Sequence, residues 1–153
     1  MGNTNTQSSS FPAAKLLRRI MAIVYDLFLL AAILFLATAL ANAVNQGKAI
    51  DQNSPYIILL DIYLISISFL YFGWFWTHGG QTLGMKTWKI KLINNDSHRI
   101  TWKQVLIREI TAVASWLFFG LGFFWSVFDE QKRCWHDISS NSTLIDLRHT
   151  ENQ

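Results

Sequence analysis

The sequence predicts an all-α integral membrane protein with two spanning helices, a third hydrophobic segment that either spans or re-enters, and a small cytoplasmic β-hairpin. Three observations carry this reading. Asp, Glu, Lys and Arg make up 15% of the 153 residues, whereas a soluble domain usually carries about 25%. The missing charges leave three long apolar stretches: Ile20 to Ala43 holds only Asp26, Pro55 to Thr77 only Asp61, and Ile110 to Phe128 no charge at all. A helix rises about 1.5 Å per residue and the hydrocarbon core is about 30 Å thick, so roughly 20 apolar residues suffice to cross it. Finally, the 13 Lys and Arg are unevenly placed, with three before the first stretch, one between the first and second, six between the second and third, and three after.

Residues 1–10 are rich in Asn, Thr, Gln and Ser with no apolar period and read as a disordered tail. A membrane unit over 11–147 and a short tail over 148–153 complete the organisation. The first helix opens with Lys15, Arg18 and Arg19 at its mouth, and its apolar run is longer than the core of a secretory leader, about 7 to 15 residues, with cleavage at Ala39-Leu40-Ala41 the lesser alternative. A polar loop from Asn45 to Ser54 holds Lys48 and Asp51. Pro55 suits the first turn of the second helix, where a missing N–H is harmless, and Gly79-Gly80 ends that helix. The basic residues place the N-terminus and the stretch from Thr77 to Arg108 in the cytoplasm and the Asn45 to Ser54 loop outside.

A full crossing by the third stretch would leave Lys132, Arg133 and Arg148 outside, against the same rule. Gly120 and Gly122 lie near its centre, where a helix can break, so re-entrance or an interfacial lie is preferred to a plain third span. Between the second and third stretches, Trp88 to Leu92 alternates in period two, Asn94 to Ser97 is a turn cluster, and Arg99 to Trp102 follows, which predicts a hairpin. Ser142 to Ile145 adds a third strand if the tail is cytoplasmic.

Asp26 is the most informative residue, because an exposed acid two turns inside a spanning helix costs at least ~2.5 to 3.5 kcal/mol. It has to face protein or water. Arg19 precedes it by seven residues, which returns to within about 20° of the same face at a rise of roughly 10 Å. Asp26 is therefore either a site for a cation, proton or polar solute, or a clasp to Tyr63, Ser66 or Ser68 of the second helix. Asp61 reads as a hydrated helix end. Arg108 is expected to snorkel to the headgroups and Glu109 to pair with a base such as Lys103.

Gly79-Gly80-Gln81-Thr82-Leu83-Gly84-Met85-Lys86 resembles a phosphate loop but places Met85 between the last glycine and the lysine, and follows a membrane helix where a strand is required. Cys134 and His136 offer two ligands where structural zinc needs four, so no metal is expected. No nucleophile, base and acid grouping is present, so neither an enzyme nor a cofactor is expected. The net charge of +3 flanks apolar segments, which points to lipid headgroups and away from nucleic acid.

Arg19 with Asp26 in a first helix, the Gly79 to Lys86 block after a second, Leu106-Ile107-Arg108-Glu109, and Asp129 to Asp137 followed by Ser142-Thr143 together resemble the RDD family. The family takes its name from an arginine and two aspartates. By match these are Arg19, Asp26 and Asp137, beside His136, with Asp129 the alternative second aspartate. Family members often carry small residues such as Ala-Gly where this chain has Ser139 to Ser142. The resemblance implies a small multi-helix protein of the bacterial inner membrane, handling an ion or small polar solute as a transport component. Its expected partners are the bilayer and further copies of itself or other membrane proteins, since two helices enclose no path.

Overall fold

The computed structural model describes residues 12–96, 99–117, 121–129 and 133–150. Two long helices, α1 (Leu16–Val44) and α2 (Ile57–His78), are followed by a short α3 (Leu83–Thr87), the strand β1 (Ile90–Asn94), α4 (Trp102–Leu117), α5 (Leu121–Phe128), α6 (Trp135–Ser139) and the strand β2 (Ser142–Asp146). A 3-10 turn, Leu147–Thr150, follows β2.

The burial pattern of α1 is inverted relative to a soluble helix. Its buried residues are Arg19, Ala22, Asp26, Leu30 and Ala37, a single helical stripe that contains two of its three charged residues. Its apolar side chains point outward, with Phe28 76% and Phe35 78% exposed. The second helix buries only Leu60 and Gly73. At about 1.5 Å per residue these helices run roughly 43 and 33 Å, and both are long and apolar enough to cross a bilayer. A polar inner stripe and an apolar outer surface are what a lipid solvent demands.

The packed core lies at one end of the α1/α2 pair, where Ala14, Ala22, Met85, Ile90, Leu92, Ile100, Val105 and Leu144 cluster. The strands β1 and β2 pair antiparallel, from Ile90 opposite Asp146 to Asn94 opposite Ser142. On the other edge of β2, Ala13 bridges Ile145, the Ala14 N–H donates to the Leu144 carbonyl at 2.8 Å, and the Asp146 N–H donates to the Pro12 carbonyl at 2.9 Å. The segment before α1, the segment after α2 and the last strand thus meet in one small sheet.

The expected hairpin is corrected by this pairing, since β1 takes β2 as its partner and Trp102 opens α4. The cause is a capping box. The Gln104 N–H donates to Thr101 Oγ1 at 3.3 Å, and the Gln104 side chain accepts from the Thr101 N–H at 3.0 Å, which starts a helix where a strand was expected. The strand expected at Ser142 is present.

The third apolar stretch is divided between α4 and α5. The 16 residues of α4 rise only about 24 Å. In one continuous helix Ser115 and Gly122 would stand roughly 10 Å apart, yet a Cβ added to Gly122 would overlap the Ser115 side chain. The helix α5 is therefore no continuation of α4, and packs on both α4 and α6. Gly120 lies outside the described residues.

Candidate functional site

Asp137 is the centre of a buried junction. It is the third residue of α6, where its carboxylate accepts the Cys134 N–H at 3.1 Å and so caps the helix. One oxygen also takes Nη1 of Arg19, and the other takes Nη1 of Arg108 at 2.6 Å. Arg19 reaches back to the Ala14 carbonyl at 3.0 Å and to Cys134 Sγ at 3.3 Å. Arg108 donates to Ser142 Oγ at 2.9 Å and lies over the Trp76 ring, 5.2 Å from its centroid. Helices α1, α4 and α6 and strand β2 are thereby tied to one carboxylate.

Burial alone would push the Asp137 carboxyl up, but the Arg108 guanidinium, then Arg19 and the Cys134 N–H, hold it well below the usual carboxylate range. His136, next to it, is brought down to about 3 by burial and then by Arg108, so it is neutral. The Cys134 thiol is pushed up, first by burial and then by Asp137. Cys134, His136 and Asp137 offer three buried ligand atoms within 4.8 Å of one another. A dication would have to enter beside two guanidiniums already bonded to Asp137, so this triad does not suit a metal.

Asp26 is held differently. Its carboxylate accepts the Thr82 hydroxyl, the Gly84 N–H at 2.9 Å and the Tyr71 hydroxyl at 3.1 Å. The expected partners Tyr63, Ser66 and Ser68 are not its ligands; Ser66 and Ser68 donate to the carbonyls one turn back, Ile62 and Leu64. The loop block is the true partner. A Cβ at Gly84 would overlap the Ala22 carbonyl and lie 2.9 Å from Asp26 Cγ, so only glycine lets α3 seat against α1. Gly79 follows α2, and Gly80 adopts φ +71° and accepts the Leu92 N–H at 2.7 Å. Gln81 donates to the Ile90 carbonyl at 2.8 Å, while Lys86 stays exposed. The glycine block is a backbone-to-helix latch.

A cavity of about 310 Å³ lies between α1, α2 and α4, at the low end for small-molecule pockets. Arg19, Asp26, Arg108 and Glu109 all border it, but its wall is mostly apolar. Three buried polar atoms on its lining residues have no hydrogen-bond partner among the described residues: Nη2 of Arg19, Nε1 of Trp76 and Oε1 of Glu109. Burial raises the Glu109 carboxyl to about 7.

Arg19 and Asp137 are thus brought together, Asp26 joins the loop block, and Asp129 stands apart in an i,i+4 pair with Arg133. Two expectations are corrected. Arg108 does not snorkel, because Asp137 holds it inside, and Glu109 forms no ion pair with Lys103 among the described residues. Trp76 and Tyr71 were not singled out by the sequence; an indole and a phenol late in an apolar helix are the one signal available.

Two lipid-suited helices with a buried Arg–Asp–Arg junction at one end define a membrane-type protein. The RDD family profile matches residues 13–141, and the chain belongs to that family. No curated protein and no solved structure matches it.

Proposed function

We propose that this protein is a transport or ion-handling component of the bacterial inner membrane that holds or passes an ion or small polar solute. The observation that carries the reading is the cavity, where a 97%-buried arginine leaves Nη2 unpartnered in a mostly apolar chamber. An unmet buried donor costs about 1–3 kcal/mol, a cost that a bound solute relieves. The orientation is N-terminus inward, supported by the basic residues and by the sheet that gathers Ala13, β1 and β2 at the α1 entrance. The same sheet favours α4 and α5 as a re-entrant pair, since it returns the chain to the side it left. Two spanning helices cannot enclose a path, so the working unit is an oligomer.

The test is flux in proteoliposomes against a panel of cations and small charged solutes. Flux several-fold above protein-free vesicles, lost in Val113→Trp at the cavity edge, is expected; no flux for any solute overturns the reading. A second reading, a membrane assembly factor, is favoured by the three donors that fill Asp26. Under it Asp26→Asn lowers partner recovery and no flux exists to change.

A further inference from the structure

The cavity has a direction. Its lining includes the buried Arg19, Asp26, Arg108 and His136, with Glu109 beside Arg108 on α4. Its walls are apolar side chains such as Ala22, Ile23, Phe72 and Ala112. At its rim stand Leu27 on α1 and Val113 and Trp116 on α4, which are 50%, 62% and 66% exposed. Helices α1 and α4 each pack on α2 but scarcely touch one another, so the chamber opens sideways between them. For helices whose outer faces suit lipid, that opening gives onto hydrocarbon.

At the junction Arg19 and Arg108 supply two cations against the single Asp137 between them, while Asp26, a second anion on the chamber wall, has its oxygens occupied by three neutral donors. The unpartnered Nη2 of Arg19 and Nε1 of Trp76 are both donors. Oε1 of Glu109 completes the group as an acceptor, or as a donor when the acid is protonated. No free carboxylate pair awaits a metal cation, and the apolar wall offers nothing to a bare ion.

We infer that this chamber binds the oxyanion head of an amphiphile, whose apolar chain leaves through the gap between α1 and α4. The inference rests on the solute-handling reading above and names its class. The volume matches roughly ten water molecules at about 30 Å³ each, enough for a head and a few methylenes and too small for a whole two-chain lipid. Two sources supply such a head: the phosphate of a bilayer lipid and the carboxylate of a free single-chain acid.

Glu109 couples binding to protons. The other titratable or charged groups lining the chamber are Arg19, Asp26, Arg108, Cys134 and His136, of which His136 is neutral and the Cys134 thiol is pushed up. Glu109 is brought to about 7 by burial, so it is the acid placed to change charge near neutrality. Protonated it donates to the oxyanion, and ionised it repels it.

The experiment is isothermal titration of the full chain in a neutral sugar detergent with three probes: decanoate, phosphatidylglycerol and decanol. An anionic probe is expected to bind at least ten-fold more tightly than decanol, and at least five-fold more tightly at pH 6 than at pH 8. Decanoate alone binding identifies a free acid as the source; phosphatidylglycerol alone identifies the bilayer. Val113→Trp, placed on the exposed rim where folding is indifferent, removes binding, and Trp76→Phe weakens it several-fold. Glu109→Gln keeps binding but loses the pH dependence. Equal affinity for decanol, or undiminished binding in folded Val113→Trp, overturns the inference. Binding without flux would sink the transport reading and leave this site standing; flux without binding would do the reverse.

Discussion

Two buried aspartates organise this molecule, and they are satisfied by opposite means. Asp26 accepts only neutral donors, from Thr82, Gly84 and Tyr71. Asp137 stands between two guanidiniums from two helices. Neutral donors fasten a loop, and losing one leaves a group of ordinary polarity to rehydrate. Two cations fasten whole elements, and losing their shared anion leaves like charges face to face in a dry place. The first is a latch on α3; the second is the joint on which α1, α4 and α6 depend.

The sharpest way to break this contrast is Asp137→Ala. It should cost about 3–5 kcal/mol, since it strands two buried arginines, and thermal unfolding in detergent would read the loss. A cost similar to that of an exposed ion pair would show that water already reaches the junction.

Acid separates the two sites next. His136 is neutral in the fold and held down to about 3, so its contribution is complete above an ordinary histidine value near 6.5 and is lost as pH falls below that. The depressed Asp137 adds its own loss only further down, as pH falls through its folded value. Between pH 6.5 and 5 the wild type should lose about 2 kcal/mol, and His136→Gln should flatten that slope. An unchanged slope would put the acid sensitivity elsewhere.

The smallest effect belongs to Asp26→Asn, about 1–2 kcal/mol, because one amide meets donors where an oxygen met them. Hydrogen exchange should quicken at Gly84 and Met85 while α1, α4 and α6 keep their protection. Global loosening would mean that the latch and the joint are one unit.

The sequence showed the charged stripe of α1 clearly, because an acid in an apolar helix has no alternative to an inward face. It also marked the glycine block as special, though not its purpose, which is set by Asp26 at 58 residues' distance from Gly84. Thr101 and Gln104 carried a readable helix start, and the period-two alternation ahead of them drew attention to a hairpin instead. Arg108 was misjudged for the same reason that Asp26 lacked its partners. Position along a helix tells how deep a charge sits, while its counter-charge is chosen by folding, and Asp137 comes 29 residues later.

That ordering bears on how the chain is made. Arg19 leaves the ribosome 118 residues ahead of Asp137, an interval of roughly 6 to 24 seconds at elongation speeds of about 5–20 residues per second. Through that delay the first helix has a cation at its base with no Asp137 to meet it, and the central strand that joins Ala13 to β1 has not been synthesised. The segment from Asp137 to Asp146 therefore acts as a keystone, and a nascent chain that has not yet reached it presents an incomplete arch to the cell's proteases.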